Sequence, residues 1–145
     1  GGTGGGARLP TVLLADEPTT GLDAFQAENT VRLLASLARR REALVVMTIH
    51  QPRSSIFKQL DDVLLLAPGG RPCYLGASSR AAEYFAQCGH PCPPETNPAE
   101  HLIDLVSVDA TSEAAEAASI RRIERLARLW AGREKGSAHQ RAQEG

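Results

Sequence analysis

Two rhythms of apolar and polar positions alternate along this 145-residue chain. Short apolar runs, Val12-Leu13-Leu14-Ala15 and Ala43-Leu44-Val45-Val46-Met47-Thr48, read as buried strands. Val63–Leu66 reads as a third strand, with Arg71–Gly76 as its hairpin partner. Between the first two strands, Ala24, Ala27, Val31, Leu34 and Ala38, joined by Leu33 and Leu37, recur at helical spacing. That helix runs out in Arg39-Arg40-Arg41, whose positive charge suits a helix C-terminus. Pro91, Pro93, Pro94 and Pro98 mark a stiff loop, because proline fixes its own φ and restricts its predecessor. A helix is expected from Pro98 to about Val106, capped by Asn97. Another is expected from Ser112 toward Trp130, with Ile120, Ile123, Ala127 and Trp130 on one face. Arg121, Arg122, Arg125 and Arg128 line its other faces, and Glu124 stands at i,i+4 spacing to Arg128, which would support the helix. The plain reading is a solvated amphipathic helix. The sharper one is a linker approaching anionic lipid or a transmembrane domain. Residues after Gly132 are polar and are expected to be disordered.

The candidate chemistry sits where the first strand ends, at Asp16-Glu17. Two adjacent carboxylates after a buried strand are costly unless a cation compensates them. Mg²⁺ carrying nucleotide phosphates supplies that charge, since it prefers oxygen ligands and is commonly held by one carboxylate plus phosphate oxygens. On this reading Asp16 faces the metal, directly or through water, and Glu17 polarises an attacking water. Asp23, with Gln26 three residues on, also reads as a helix N-cap. His50 follows the second strand, and a lone histidine there suits a structural role as well as a catalytic one.

The segment Asp16-Glu17-Pro18-Thr19-Thr20-Gly21-Leu22-Asp23 resembles the Walker B element and D-loop of ATP-binding cassette (ABC) proteins. His50-Gln51-Pro52-Arg53 resembles the H-loop of their G subfamily, the white-pigment and sterol-type half-transporters. Tyr74-Leu75-Gly76, Tyr84-Phe85, Gly89-His90-Pro91-Cys92-Pro93 and Asn97-Pro98-Ala99-Glu100 are similar to later motifs of that branch. The likeness covers about residues 10 to 130, and Thr19–Glu28 is most like plant and algal members. It implies an α/β fold, the C-terminal half of a P-loop (RecA-like) nucleotide-binding cassette with a mostly parallel sheet followed by C-terminal helices. The implied cofactors are ATP and Mg²⁺. Glu17 would be the catalytic base, Asp16 would assist Mg²⁺, His50 would contact the γ-phosphate, and Asp23 would couple paired cassettes. The implied partners are a second ABC cassette, identical or not, and a transmembrane domain outside the chain. The implied setting is the cytoplasmic face of a membrane, with this segment soluble and its transporter exporting lipids, sterols or other hydrophobic compounds.

Other features shape those expectations. A phosphate loop needs a lysine after a glycine, whereas Lys58 and Lys135 follow Phe57 and Glu134. Gly1–Gly6 is glycine-rich without that lysine and reads as flexible linker over residues 1–9. Residues 10–90 read as the partial cassette, 91–131 as a helical extension, and 132–145 as a disordered tail. Whether such a chain hydrolyses ATP by itself stays open. The alternatives are a catalytically dead remnant, or a regulatory or interaction subunit. A net charge of −1 argues against nucleic-acid binding, and no apolar run is long enough to span a bilayer. Cys73, Cys88 and Cys92 read as reduced thiols. Cys88-Gly89-His90-Pro91-Cys92 invites zinc, but a suitable second ligand pair is missing from the sequence, with His101 the nearest spare candidate.

Overall fold

The first two strands lie side by side and parallel, as a strand–helix–strand unit demands. The computed structural model describes residues 11–41 and 43–143. Strand β1 (Val12–Ala15) pairs with β2 (Leu44–Met47), Val12 opposite Leu44 and Ala15 opposite Met47, and α1 (Ala24–Arg41) makes the crossover. Then follow α2 (Ser54–Phe57), β3 (Asp62–Ala67), β4 (Arg71–Ala77), α3 (Ser78–Gln87), α4 (Pro98–Val106) and α5 (Glu113–Gln143). The chain divides into two units, Gly1–His50 and Gln51–Gly145. The expected boundary near residue 90 is not where the packing changes, because β3, β4 and α3 share one core with α4 and α5.

In the first unit, α1 buries Ala27 and Val31. The strands are far more open than their apolar sequences imply. Val12 is 54%, Leu14 75%, Leu44 59% and Val46 48% exposed, so one face of the β1–β2 sheet has no cover among the described residues. Parallel strands are normally covered on both faces, and two strands with one helix cover only one.

The second unit is built on an antiparallel hairpin. Val63 faces Gly76, and Leu65 faces Tyr74, with a register shift after Leu65. The connection Pro68-Gly69-Gly70 reverses the chain. Gly70 N–H bonds to the Ala67 carbonyl at 3.0 Å, proline occupies the second position of the turn, and Gly69 takes φ +79°. This geometry corrects the expected mostly parallel, P-loop-type sheet. There are two separate two-stranded sheets among the described residues, one parallel and one antiparallel.

Against the inner face of the hairpin pack Ala81, Tyr84 and Phe85 of α3, Leu102, Leu105 and Val106 of α4, and Ile123 and Leu126 of α5. Aromatic rings cluster at the centre. Tyr84 lies 5.0 Å from Phe85 and 5.6 Å from Trp130, both edge-on, the favoured aromatic geometry. The buried stripe of α5 differs from the expected one, since Ile120 is exposed while Ser119 and Leu126 are buried. The helix also continues to Gln143, past the point where disorder was expected. Glutamate, lysine, arginine, alanine and glutamine in that stretch are good helix formers. The glycine-rich Gly1–Gly6 lies outside the described residues.

Candidate functional site

The parallel register decides which groups meet beyond the strand ends. Because Ala15 pairs with Met47, the next residues, Asp16 and Thr48, emerge side by side. The Thr48 amide bonds to the Ala15 carbonyl at 3.0 Å, extending the ladder by one rung. The Thr48 hydroxyl then works in both directions. It accepts the Glu17 backbone N–H at 2.7 Å and donates to Oδ1 of Asp16 at 2.6 Å. A hydroxyl carries both a donor and acceptor lone pairs, so one side chain satisfies both neighbours. One Asp16 oxygen is thereby held, and its other oxygen has no partner among the described residues.

Glu17 adopts φ +44°, a left-handed conformation uncommon outside glycine, asparagine and aspartate. The bond to Thr48 and a turn in which Thr20 N–H reaches the Glu17 carbonyl at 3.1 Å hold it there. The Thr20 hydroxyl donates to Oε2 of Glu17 at 3.0 Å. Backbone strain kept in place by surrounding bonds is a frequent property of functional positions. Both carboxylates are exposed to solvent, which corrects the premise that they end a buried strand. Their placement rests on hydrogen bonding and not on burial.

Asp23 caps α1, its Oδ1 accepting the Gln26 N–H at 2.8 Å and its carbonyl accepting Ala27 N–H at 2.9 Å. His50 lies two residues past Thr48, exposed, with no side-chain hydrogen bond among the described residues. The structure therefore assembles Asp16, Glu17, Thr20 and Thr48 into one network and gives Asp23 a capping role. Thr48 is the residue that sequence reasoning passed over as the last position of a strand. Its signal was its place, the first residue after a strand parallel to the one that delivers Asp16.

The donor set is compatible with Mg²⁺, being made of hard oxygens with one carboxylate oxygen open. Among the described residues no group of three or more histidine, cysteine, aspartate or glutamate side chains converges to hold a metal. All three cysteines are free thiols. Burial pushes the Cys73 thiol above its ordinary pKa, so it behaves as a small apolar residue. His101 approaches the His90 carbonyl through Nε2 at 3.2 Å.

Residues 50–133, more than half of the chain, match the family described as ABC-2 type transporter. The chain belongs to that family. It is 45% identical over 121 residues to rat ATP-binding cassette sub-family G member 8, an alignment covering 83% of this chain and 17% of the relative. With mouse ATP-binding cassette sub-family G member 5 it shares 42% identity over 117 residues, covering 81% and 18%. Arabidopsis thaliana ABC transporter G family member 7 is 44% identical over 117 residues, covering 81% and 16%. The chain thus spans roughly a sixth of the length of these relatives.

The family match corrects two expectations. Residues 50–133 correspond to a membrane-domain family of ABC transporters, not to the end of a P-loop nucleotide-binding cassette. The placement at a cytoplasmic membrane face, drawn from the cassette reading, falls with it. Among the described residues no helix is long and apolar enough to cross a membrane. The coarser reading, an ABC transporter with G-subfamily relatives, stands.

Proposed function

We infer that the chain is a segment of an ABC transporter that exports lipids, sterols or other hydrophobic compounds, and that its strand-end network handles Mg²⁺-bound ATP. The observation that carries this reading is the Thr48 hydroxyl bridging the Glu17 amide and the Asp16 carboxylate at the ends of two parallel strands. Ligands of open α/β sheets bind outside the carboxyl ends of the strands, where this network lies. The relatives' names, ATP-binding cassette proteins of sub-family G, support the choice of nucleotide.

Asp16 would hold Mg²⁺ directly or through water, and the ion would neutralise phosphate charge. Thr48 keeps the Asp16 carboxylate in a single orientation. Glu17, anchored at its own amide, orients a water and takes its proton. His50 donates a hydrogen bond to the terminal phosphate, stabilising developing negative charge. Asp23 caps α1 and meets the second subunit of a transporter dimer, identical or not, while a transmembrane domain supplies the export path. The 145 residues alone lack a lysine placed to cradle phosphates, so they do not turn over ATP by themselves.

The test is Glu17→Gln in the complete transporter. ATP turnover is expected to fall by roughly a hundredfold or more, the usual scale for losing a general base, while bound ATP persists. Steady-state hydrolysis at the parent rate would remove Glu17 from the role of base.

A further inference from the structure

The second unit carries a groove that the strand-end network does not use. It has a volume of about 410 Å³ and lies between β4 and α5, lined by Arg71, Pro72, Glu124, Ala127, Arg128 and Trp130. That size lies within the usual range for small-ligand sites. We propose that this groove binds the phosphate headgroup of an anionic phospholipid, with the adjoining glycerol and acyl atoms against Pro72, Ala127 and Trp130.

Three observations carry the proposal. The first is the rim. Nε of Arg71 donates to the Pro68 carbonyl at 3.4 Å, and Nε of Arg128 donates to the Glu124 carbonyl at 3.3 Å. The terminal nitrogens of both guanidinium groups have no hydrogen-bond partner among the described residues, and they suit a phosphate diester. Glu124 sets one negative charge against these two positive ones, so the groove is net positive.

The second observation is the wall. Trp130 packs against Tyr74 and Tyr84, with ring centroids 5.5 and 5.6 Å apart, yet its buried indole N–H has no hydrogen-bond partner among the described residues. A buried orphan donor costs free energy, and a ligand oxygen would reach this enclosed N–H once the ring shifts.

The third is the surrounding charge. Arg121, Arg125 and Arg128 fall at i, i+4 and i+7, on the face of α5 opposite buried Ile123 and Leu126. None of them forms an ion pair among the described residues. Basic residues beside an apolar groove, in a chain matching a membrane-transporter family, complement an anionic bilayer surface better than a neutral one.

Co-sedimentation of the 145-residue chain with phosphatidylcholine vesicles, with and without phosphatidylglycerol, tests this. Trp130 is the only tryptophan, so its emission reports the groove alone. Binding with a blue shift is expected only when phosphatidylglycerol is present. The double variant Arg71→Ala/Arg128→Ala should lower partitioning by roughly tenfold or more. Ala131→Glu, on an exposed position of the lining, should lower it as well. Arg32→Ala, on α1, should bind like the parent. Equal binding to neutral vesicles, or parental binding by the double variant, would overturn the proposal. Displacement by millimolar inorganic phosphate would overturn it too, by assigning the site to the free anion.

Discussion

The two units hold themselves together in different ways. In the first, the polar groups are well placed and the apolar ones are not. Thr48, Asp16 and Glu17 satisfy one another, while Val12, Leu14, Leu44 and Val46 stay exposed and, among its described residues, only Ala27 and Val31 are buried. In the second, Phe85, Cys73, Ile123, Leu126 and their neighbours close one core, and both ends of α4 are capped by side chains. Satisfied hydrogen bonds orient groups, but burial of apolar surface supplies most of the folding free energy. The first unit is therefore a site with little scaffold. The second is a scaffold with a closed core, and its groove lies on the surface between β4 and α5.

The largest expected effect is in the core of the second unit. Phe85→Ala removes a fully buried ring and should cost roughly 3–5 kcal/mol in a urea titration. Hydrogen exchange should at the same time show β1 and β2 amides less protected than those of β3 and β4 in the parent chain. Equal protection of the two sheets would break the comparison.

Arg122 comes next. Its guanidinium reaches the carbonyls of Leu105 at 2.9 Å, Asp104 at 3.0 Å and Ser107 at 3.1 Å, closing the end of α4 from α5. Arg122→Ala should cost roughly 1–3 kcal/mol. Faster exchange should be confined to the last turn of α4, and unchanged exchange there would make Arg122 one more solvated charge.

Asn97→Ala should cost roughly 1 kcal/mol. The Asn97 side chain accepts the Ala99 N–H at 3.1 Å and donates to the Pro52 carbonyl at 3.4 Å. Asn97→Asp keeps the acceptor and loses the donor, so its calorimetric midpoint should fall between those of parent and alanine variant.

The smallest effect is on pH dependence. Burial, followed by the charges of Arg125, Arg122 and His101, holds the His90 imidazole below its ordinary pKa. The folded chain thus disfavours a protonated ring that the unfolded chain accepts below about pH 6.5. Stability from this source is complete above that pH and declines as the solution is acidified through it. Thr111, through its hydroxyl and its amide, holds Asp109 below the usual carboxylate range, so a separate loss begins only near about pH 4. His90→Gln should remove the first decline and leave the second.

Much of this was readable along the chain. Periodicity placed the strands and α1 nearly where they lie, and Asn97-Pro98 and Asp23 announced their caps. Asp16 and Glu17 stood out because paired carboxylates after an apolar run need an explanation. The sheet arrangement was not readable from apolar runs. Val63–Leu66 looked like another parallel strand because three leucines and a valine suit a strand buried on both faces as well as an amphipathic hairpin. The two differ only in what packs behind, and the exposure of Leu64 and Leu66 shows that nothing described covers the outer face.

Residue type and spacing along one segment therefore determined the elements, their caps and the carboxylate pair, since each depends on neighbours within a few residues. Tertiary structure decided what depends on distant partners. It set Thr48 against Asp16 across 32 positions, turned Arg122 from a surface charge into a clamp, and exchanged Ile120 for Leu126 on the buried face of α5. A hydrogen bond or a packed contact between remote segments has no local signature, because its energy exists only once the chain has brought both sides together.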